Sequence, residues 1–245
     1  FISNDISEFF NNPIPRIDMK KSLLALLFLC LFTGVKLNAQ DLKSPDYVKI
    51  KKETSDSLSQ FFYPKLLNRL QALDTTLTDE EYVYLYYGYT FQKAYQPYWR
   101  SKKQKELNEV LKKKELSSED YDLIISYTSQ AIESFPFALQ EIRYLSFAYK
   151  MKGDENKFHL YSMLYAKIFN TITASGNGET CEKAMHVIST SHEYAVLNQA
   201  RLQSTGQALV GQCDYLSVAE NVERIEGLYF NVSRLFEVTN EMFKK

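Results

Sequence analysis

Ser175-Gly176-Asn177-Gly178-Glu179-Thr180 divides the chain into two halves of different character and opens onto His186-Val187-Ile188. Upstream of it, apolar side chains recur at spacings of three and four, the period of helices with one buried face. Downstream, short β-branched and aromatic runs alternate with turn-forming residues, the pattern of strands. Among the 8 glycines, only these two lie two residues apart. The stretch fails as a phosphate loop. A Walker loop needs Gly-Lys-Ser/Thr, and a dinucleotide fingerprint needs a strand before it and a third glycine. Here a helix precedes it and Cys181 stands where that glycine would be. The turn therefore reads as a joint between a helical half and a small sheet.

On the helical side, residues 40–174, Asp41 to Asp56 suggests a polar entry with a short helix. Leu58, Phe61, Phe62, Leu66, Leu67, Leu70 and Leu73 then follow helical spacing, interrupted by Pro64. Thr78-Asp79-Glu80-Glu81 is a capping box. It starts a helix whose stripe (Tyr82, Leu85, Tyr86, Tyr89) is largely tyrosine. Tyr82, Tyr86 and Tyr89 are the candidates for a binding groove on that stripe, set against a plain core role. Gly88 within that helix points to a close helix crossing. Lys102 to Glu115 reads as a solvated helix, Ser118-Glu119-Asp120 starts another, and the last runs from Asp154 to about Thr173. Ala131 and Pro136, followed by Leu145, Ser146, Tyr149 and Gly153, resemble the tetratricopeptide family over about 45 residues, with Ile142 and Phe158 departing from its pattern. The resemblance implies stacked helix hairpins.

On the far side, residues 175–245, Met185 to Ser189 alternates as a strand, and Tyr194 to Leu197 is open between strand and helical turn. Gln207–Val210 and Tyr215–Val218 flank Gly211 as a hairpin, Leu228–Val232 is the clearest strand, and Leu235–Phe243 reads as a terminal helix. The fold class expected is α+β: tetratricopeptide-like helix hairpins, then a small antiparallel sheet and a C-terminal helix, packed as one compact unit over residues 40–245.

Residues 1–39 belong to a different kind of segment. Met19-Lys20-Lys21, the apolar run Leu23 to Phe32 and Leu37-Asn38-Ala39 have the order of a secretory signal peptide, with cleavage expected near Ala39. Residues 1–18 read as an upstream extension. Phe28-Leu29 before Cys30 lacks the small residues of a lipobox, and the apolar run is too short to span a bilayer. A periplasmic or secreted protein is expected. In that compartment Cys181 and Cys213 can pair, though free structural thiols are equally compatible with the sequence; closure of that loop would be worth roughly 3–4 kcal/mol.

Lysines and arginines (29) nearly balance aspartates and glutamates (30), so no nucleic-acid footprint is present. Three histidines, His159, His186 and His192, show no zinc-type spacing, and neither a metal nor another cofactor is expected. Chemistry, if present, would fall to Cys181 or Ser175 as nucleophile, His186 as base and Glu193 or Asp214 as orienter. A disulfide at Cys181 would remove the thiol option.

Leu85-Tyr86-Tyr87-Gly88, Ser175-Gly176-Asn177-Gly178, His186-Val187-Ile188, Glu193-Tyr194, Cys213-Asp214 and Tyr229-Phe230-Asn231-Val232, in this order, resemble a family of exported Bacteroidetes proteins known only as a domain of unknown function. The resemblance implies a Gram-negative envelope location and assigns no catalytic residue. Two functions follow as expectations: a module that binds an envelope protein or peptide, or an envelope hydrolase with its site around Ser175–Glu193.

Overall fold

The computed structural model describes residues 42–244, so the signal-peptide segment lies outside the described residues. The architecture is α+β. Helices α1 (Tyr47–Ser55), α2 (Tyr63–Gln71) and α3 (Asp79–Gly88), with a 3-10 turn at Tyr89–Phe91, are followed by α4 (Gln104–Leu111), α5 (Ser118–Ser134), α6 (Leu139–Met151) and α7 (Glu155–Thr173). A 3-10 turn at Cys181–Lys183 leads to β1 (Met185–His186), α8 (Thr190–Gln199), β2 (Ser204–Val210), β3 (Cys213–Val218), β4 (Gly227–Asn231) and α9 (Ser233–Phe243).

Local chemistry sets the helix starts. Thr78 and Ser117 each form a reciprocal capping box, with Glu81 and Asp120 respectively, and Asp154 caps α7 through the Lys157 N–H. Pro64 does not break a helix; it sits in the first turn of α2, where its missing N–H costs nothing. Helices α5, α6 and α7 run as consecutive hairpins with short connections. Lys102–Glu115 contracts to Gln104–Leu111, whose Leu107, Val110 and Leu111 build a satellite core with Tyr121, Ile124 and Phe147.

The principal correction in the helical half concerns α3. Tyr82, Tyr84, Leu85, Tyr86, Tyr87 and Gly88 are all buried, so beyond its exposed first turn the helix is enclosed by the core rather than along one stripe. Helices α1, α2 and α7 pack around it. A helix apolar all round belongs to a core. Tyr82, Tyr86 and Tyr89, at 3%, 0% and 3% exposure, therefore line no groove. Gly88 does mark a close crossing: a Cβ there would lie 2.8 Å from Thr54 Cγ2 of α1.

The sheet order is β1-β4-β3-β2. It is mixed, not antiparallel. β2 and β3 form the hairpin around Gly211, and β3 pairs antiparallel with β4. β1 joins β4 in parallel, Met185 opposite Phe230 and His186 opposite Asn231. A parallel neighbour needs a long crossover, and here α8 and the hairpin supply it. The strand expected over Met185–Ser189 is only two residues long, because Ser189 turns to cap α8. Tyr194–Leu197 lies within α8, which places His192 on a helix.

One hydrophobic core runs through both halves. Leu66, Leu85, Tyr86, Ile142, Ile168, Val187, Ile188, Leu216, Phe230 and Leu235 belong to the same cluster.

Candidate functional site

The glycine turn is built as a joint. Ser175 Oγ donates to the Ile172 carbonyl at 2.6 Å and accepts the His186 N–H at 2.8 Å, tying the end of α7 to β1. A Cβ at Gly176 would lie 2.2 Å from the Ala184 carbonyl oxygen, and Gly178 has φ +73°. Both positions require glycine for backbone approach or conformation. Gly178 also bridges inward: its N–H donates to Lys183 O, and its carbonyl accepts the Tyr229 N–H. Cys181 and Cys213 form a disulfide that ties the turn to β3. No Cys181 thiolate is then available as a nucleophile, and Ser175 has its hydroxyl engaged on both sides.

The histidines go to different tasks. His192 is fully buried. Its Nε2 lies 2.8 Å from the Phe137 carbonyl, so Nε2 carries the proton and donates. Nδ1 then accepts from the Tyr86 hydroxyl at 2.6 Å, and that hydroxyl oxygen accepts the Ile188 N–H. Tyr95 donates to the Ile188 carbonyl at 2.8 Å. This chain of bonds locks α3, α8 and the segment after β1 to one another. Burial pushes the His192 pKa down to about 4 and raises that of Tyr86, so both are neutral at ordinary pH. His186 is also pushed down to about 4 by burial; its Nδ1 has no hydrogen-bond partner and its ring sits 6.0 Å from Tyr47.

Glu193, the residue after His192, faces the sheet. It is fully buried and neither carboxylate oxygen has a donor. Burial, then the adjacent Asp214 carboxyl, raises its pKa to about 9. Asp214 on β3 is also raised, by burial, against the stabilising bond it accepts from Gln207 Nε2 at 2.7 Å. Two ionised carboxylates would offer only acceptors to each other. A proton on Glu193 makes it the donor and leaves Asp214 as the charged partner.

Of the residues singled out in the sequence, the structure thus joins Cys181 to Cys213 and Glu193 to Asp214. It assigns His186 and His192 to separate surroundings. Gln207, Tyr95 and the Phe137 carbonyl complete the polar contacts without any sequence signal, since a lone glutamine or a backbone oxygen carries none. Among the described residues, no group of three or more His, Cys, Asp or Glu is placed to hold a metal ion. No helix among them is long and apolar enough to cross a membrane.

The surface has two shallow depressions of note. One, of about 400 Å³, runs along α4 from Arg100 to Lys112. The other, of about 440 Å³, is lined by Tyr194, Leu197, Asn198 and Arg201 with Leu202, Gln203 and Ser204, between the end of α8 and the start of β2. Beside it β2 is exposed over six of its seven residues, and Tyr194, Leu209 and Val210 are exposed apolar side chains at 44%, 58% and 44%.

The chain is thus an α+β protein in which Ser175, His192 and Glu193 are buried and Cys181 is disulfide-bonded. A family model described as Domain of unknown function (DUF4919) matches residues 48–241, and the chain belongs to that family. No curated protein and no solved structure gives a significant match.

Proposed function

We propose that this chain is an exported cell-envelope protein that works by binding another protein through the open end of its sheet. The observation that carries the proposal is the combination at that end: an uncovered edge strand β2, the exposed Tyr194, Leu209 and Val210, and the depression between α8 and β2. An uncovered edge strand offers backbone N–H and C=O groups for strand addition, and neighbouring apolar side chains select what is added.

Export is supported by the Met19–Ala39 pattern and by the Cys181–Cys213 bond, since such bonds persist in oxidising compartments. The resemblance to exported Bacteroidetes proteins favours a Gram-negative periplasm or cell surface. A tetratricopeptide-like stack in α5–α7 is supported by Ser146, whose small side chain lets α6 approach α7 and whose Oγ meets the Phe158 carbonyl at 3.2 Å. In this proposal the helices are a scaffold, and the binding surface is at the sheet.

A photo-crosslinking residue placed at Leu209 or Tyr194 in cells tests this. Discrete protein adducts are expected at both positions, and none at Val48, which is 83% exposed on α1. Absence of adducts at all three, together with an ester, peptide or glycoside hydrolysis abolished by His186→Ala, would overturn the proposal in favour of an enzyme.

A further inference from the structure

The two edges of the sheet are finished differently. β1 is two residues long; its His186 N–H is taken by Ser175 Oγ and its carbonyl accepts from the Tyr87 hydroxyl, so side chains of the helical half close it. β2 is seven residues long with no strand on its outer side among the described residues. Sheet edges of this kind are normally blunted by lysine, proline or an inward charge. From Leu202 to Cys213 there is no Asp, Glu, Lys, Arg or Pro, the longest run without a charged residue among those described. An irregularity between Ser204 and Gly206 interrupts the start of the strand and leaves Gly206 to Val210 regular.

We propose that the occupant of this edge is a second copy of the same chain, joined β2 to β2 in antiparallel fashion about a two-fold axis at Ala208. This names the partner of the surface assigned above and rests on that assignment. A two-fold axis at Ala208 sets Gly206 opposite Val210, Gln207 opposite Leu209 and Ala208 opposite itself. None is charged, so self-pairing sets no like charges opposite one another, the usual obstacle to joining two identical strands. The chain is also close to neutral, with a formal charge of −1, so two copies approach without long-range repulsion. The contact is isologous and closes at two copies. Two four-stranded sheets become one of eight, and the axis, perpendicular to the sheet, puts both α8 helices and both Tyr194 side chains on one face. The regular edge is only about 17 Å long at about 3.4 Å per residue, so association is concentration-dependent rather than permanent.

Light scattering of the purified chain with its native disulfide intact, across a wide concentration series, is the first measurement. A rise from monomer to dimer mass is expected, shifted at least about tenfold to higher concentration by Leu209→Lys, which sets lysines against the facing strand. Ala208→Cys provides the geometric test. Facing Cα atoms in an antiparallel pair lie about 4.5–5.5 Å apart, within disulfide reach. A covalent dimer is expected for Ala208→Cys and not for Val222→Cys, which is 94% exposed on the β3–β4 loop. Monomer mass throughout the series with no Ala208→Cys dimer would overturn the self-pairing. If Leu209 then still crosslinks a different envelope protein, the binding-module proposal survives alone; if it crosslinks nothing, both fall.

Discussion

Glu193 has no donor within reach of either carboxylate oxygen, and a retained proton is what reconciles it with Asp214. That proton links stability to pH in a definite direction. The folded pKa of Glu193, about 9, lies above its unfolded value, so its contribution is complete below about 4.5 and is lost as pH rises through 9. His186 and His192, held near 4, act in the opposite sense: their contribution is complete above about 6.5 and is lost as pH falls through 4. Stability is therefore expected to peak near pH 6.5 and to fall on the alkaline side. Thermal melts from pH 6.5 to 9 check this, and Glu193→Gln, whose amide donates to Asp214 without titrating, flattens that limb. Tyr86→Phe leaves His192 Nδ1 and the Ile188 N–H unpaired in the core. It is expected to cost about 1–3 kcal/mol in urea unfolding without altering partner capture. At this scale the sequence named Glu193, Asp214 and His186 but could not show what each would touch. The contacts depend on a helix and a strand separated by the β2 hairpin, and no local spacing encodes them.

At the scale of elements, boundaries set by local chemistry were legible and those set by packing were not. The capping boxes at Thr78 and Ser117, the hairpin at Gly211 and the terminal helix follow from residue type alone. The parallel pairing of β1 did not, because a two-residue strand carries no periodicity and its direction depends on where α7 delivers the chain. The tyrosines of α3 misled for a related reason. Their hydroxyls suggest a wet surface, yet Tyr86 and Tyr87 of α3, like Tyr95 beyond it, each find a hydrogen-bond partner, Tyr87 and Tyr95 on carbonyls of the segment after the joint. The joint itself depends on the Cys181–Cys213 bond, which closes a loop of sequence separation 32. Replacing both cysteines by alanine is expected to lower stability by about 3–4 kcal/mol, measured by chemical denaturation, with the fold retained. In the native chain, reduction should raise the intact mass by two hydrogens and no more.

Over the whole molecule, residues on both sides of the joint at Ser175–Thr180 belong to the same principal hydrophobic cluster. Tyr82, Tyr86, Tyr89, His192, Glu193 and Ser175 are all buried. The β2 edge beside α8 is exposed, with Leu209 and Val210 at 58% and 44%. Residue periodicity made the α+β class readable, whereas the open edge became visible only once the strand order placed β2 last. The central claim, that this edge is where the protein engages a partner, is tested most directly by hydrogen exchange of the β2 amides, read by mass spectrometry in the intact cell envelope and in dilute purified protein. For the β2 amides between Gly206 and Val210 that are not already bonded to β3, the account predicts slow exchange in the envelope and fast exchange in dilute solution; equal, fast exchange of those amides in both would contradict it.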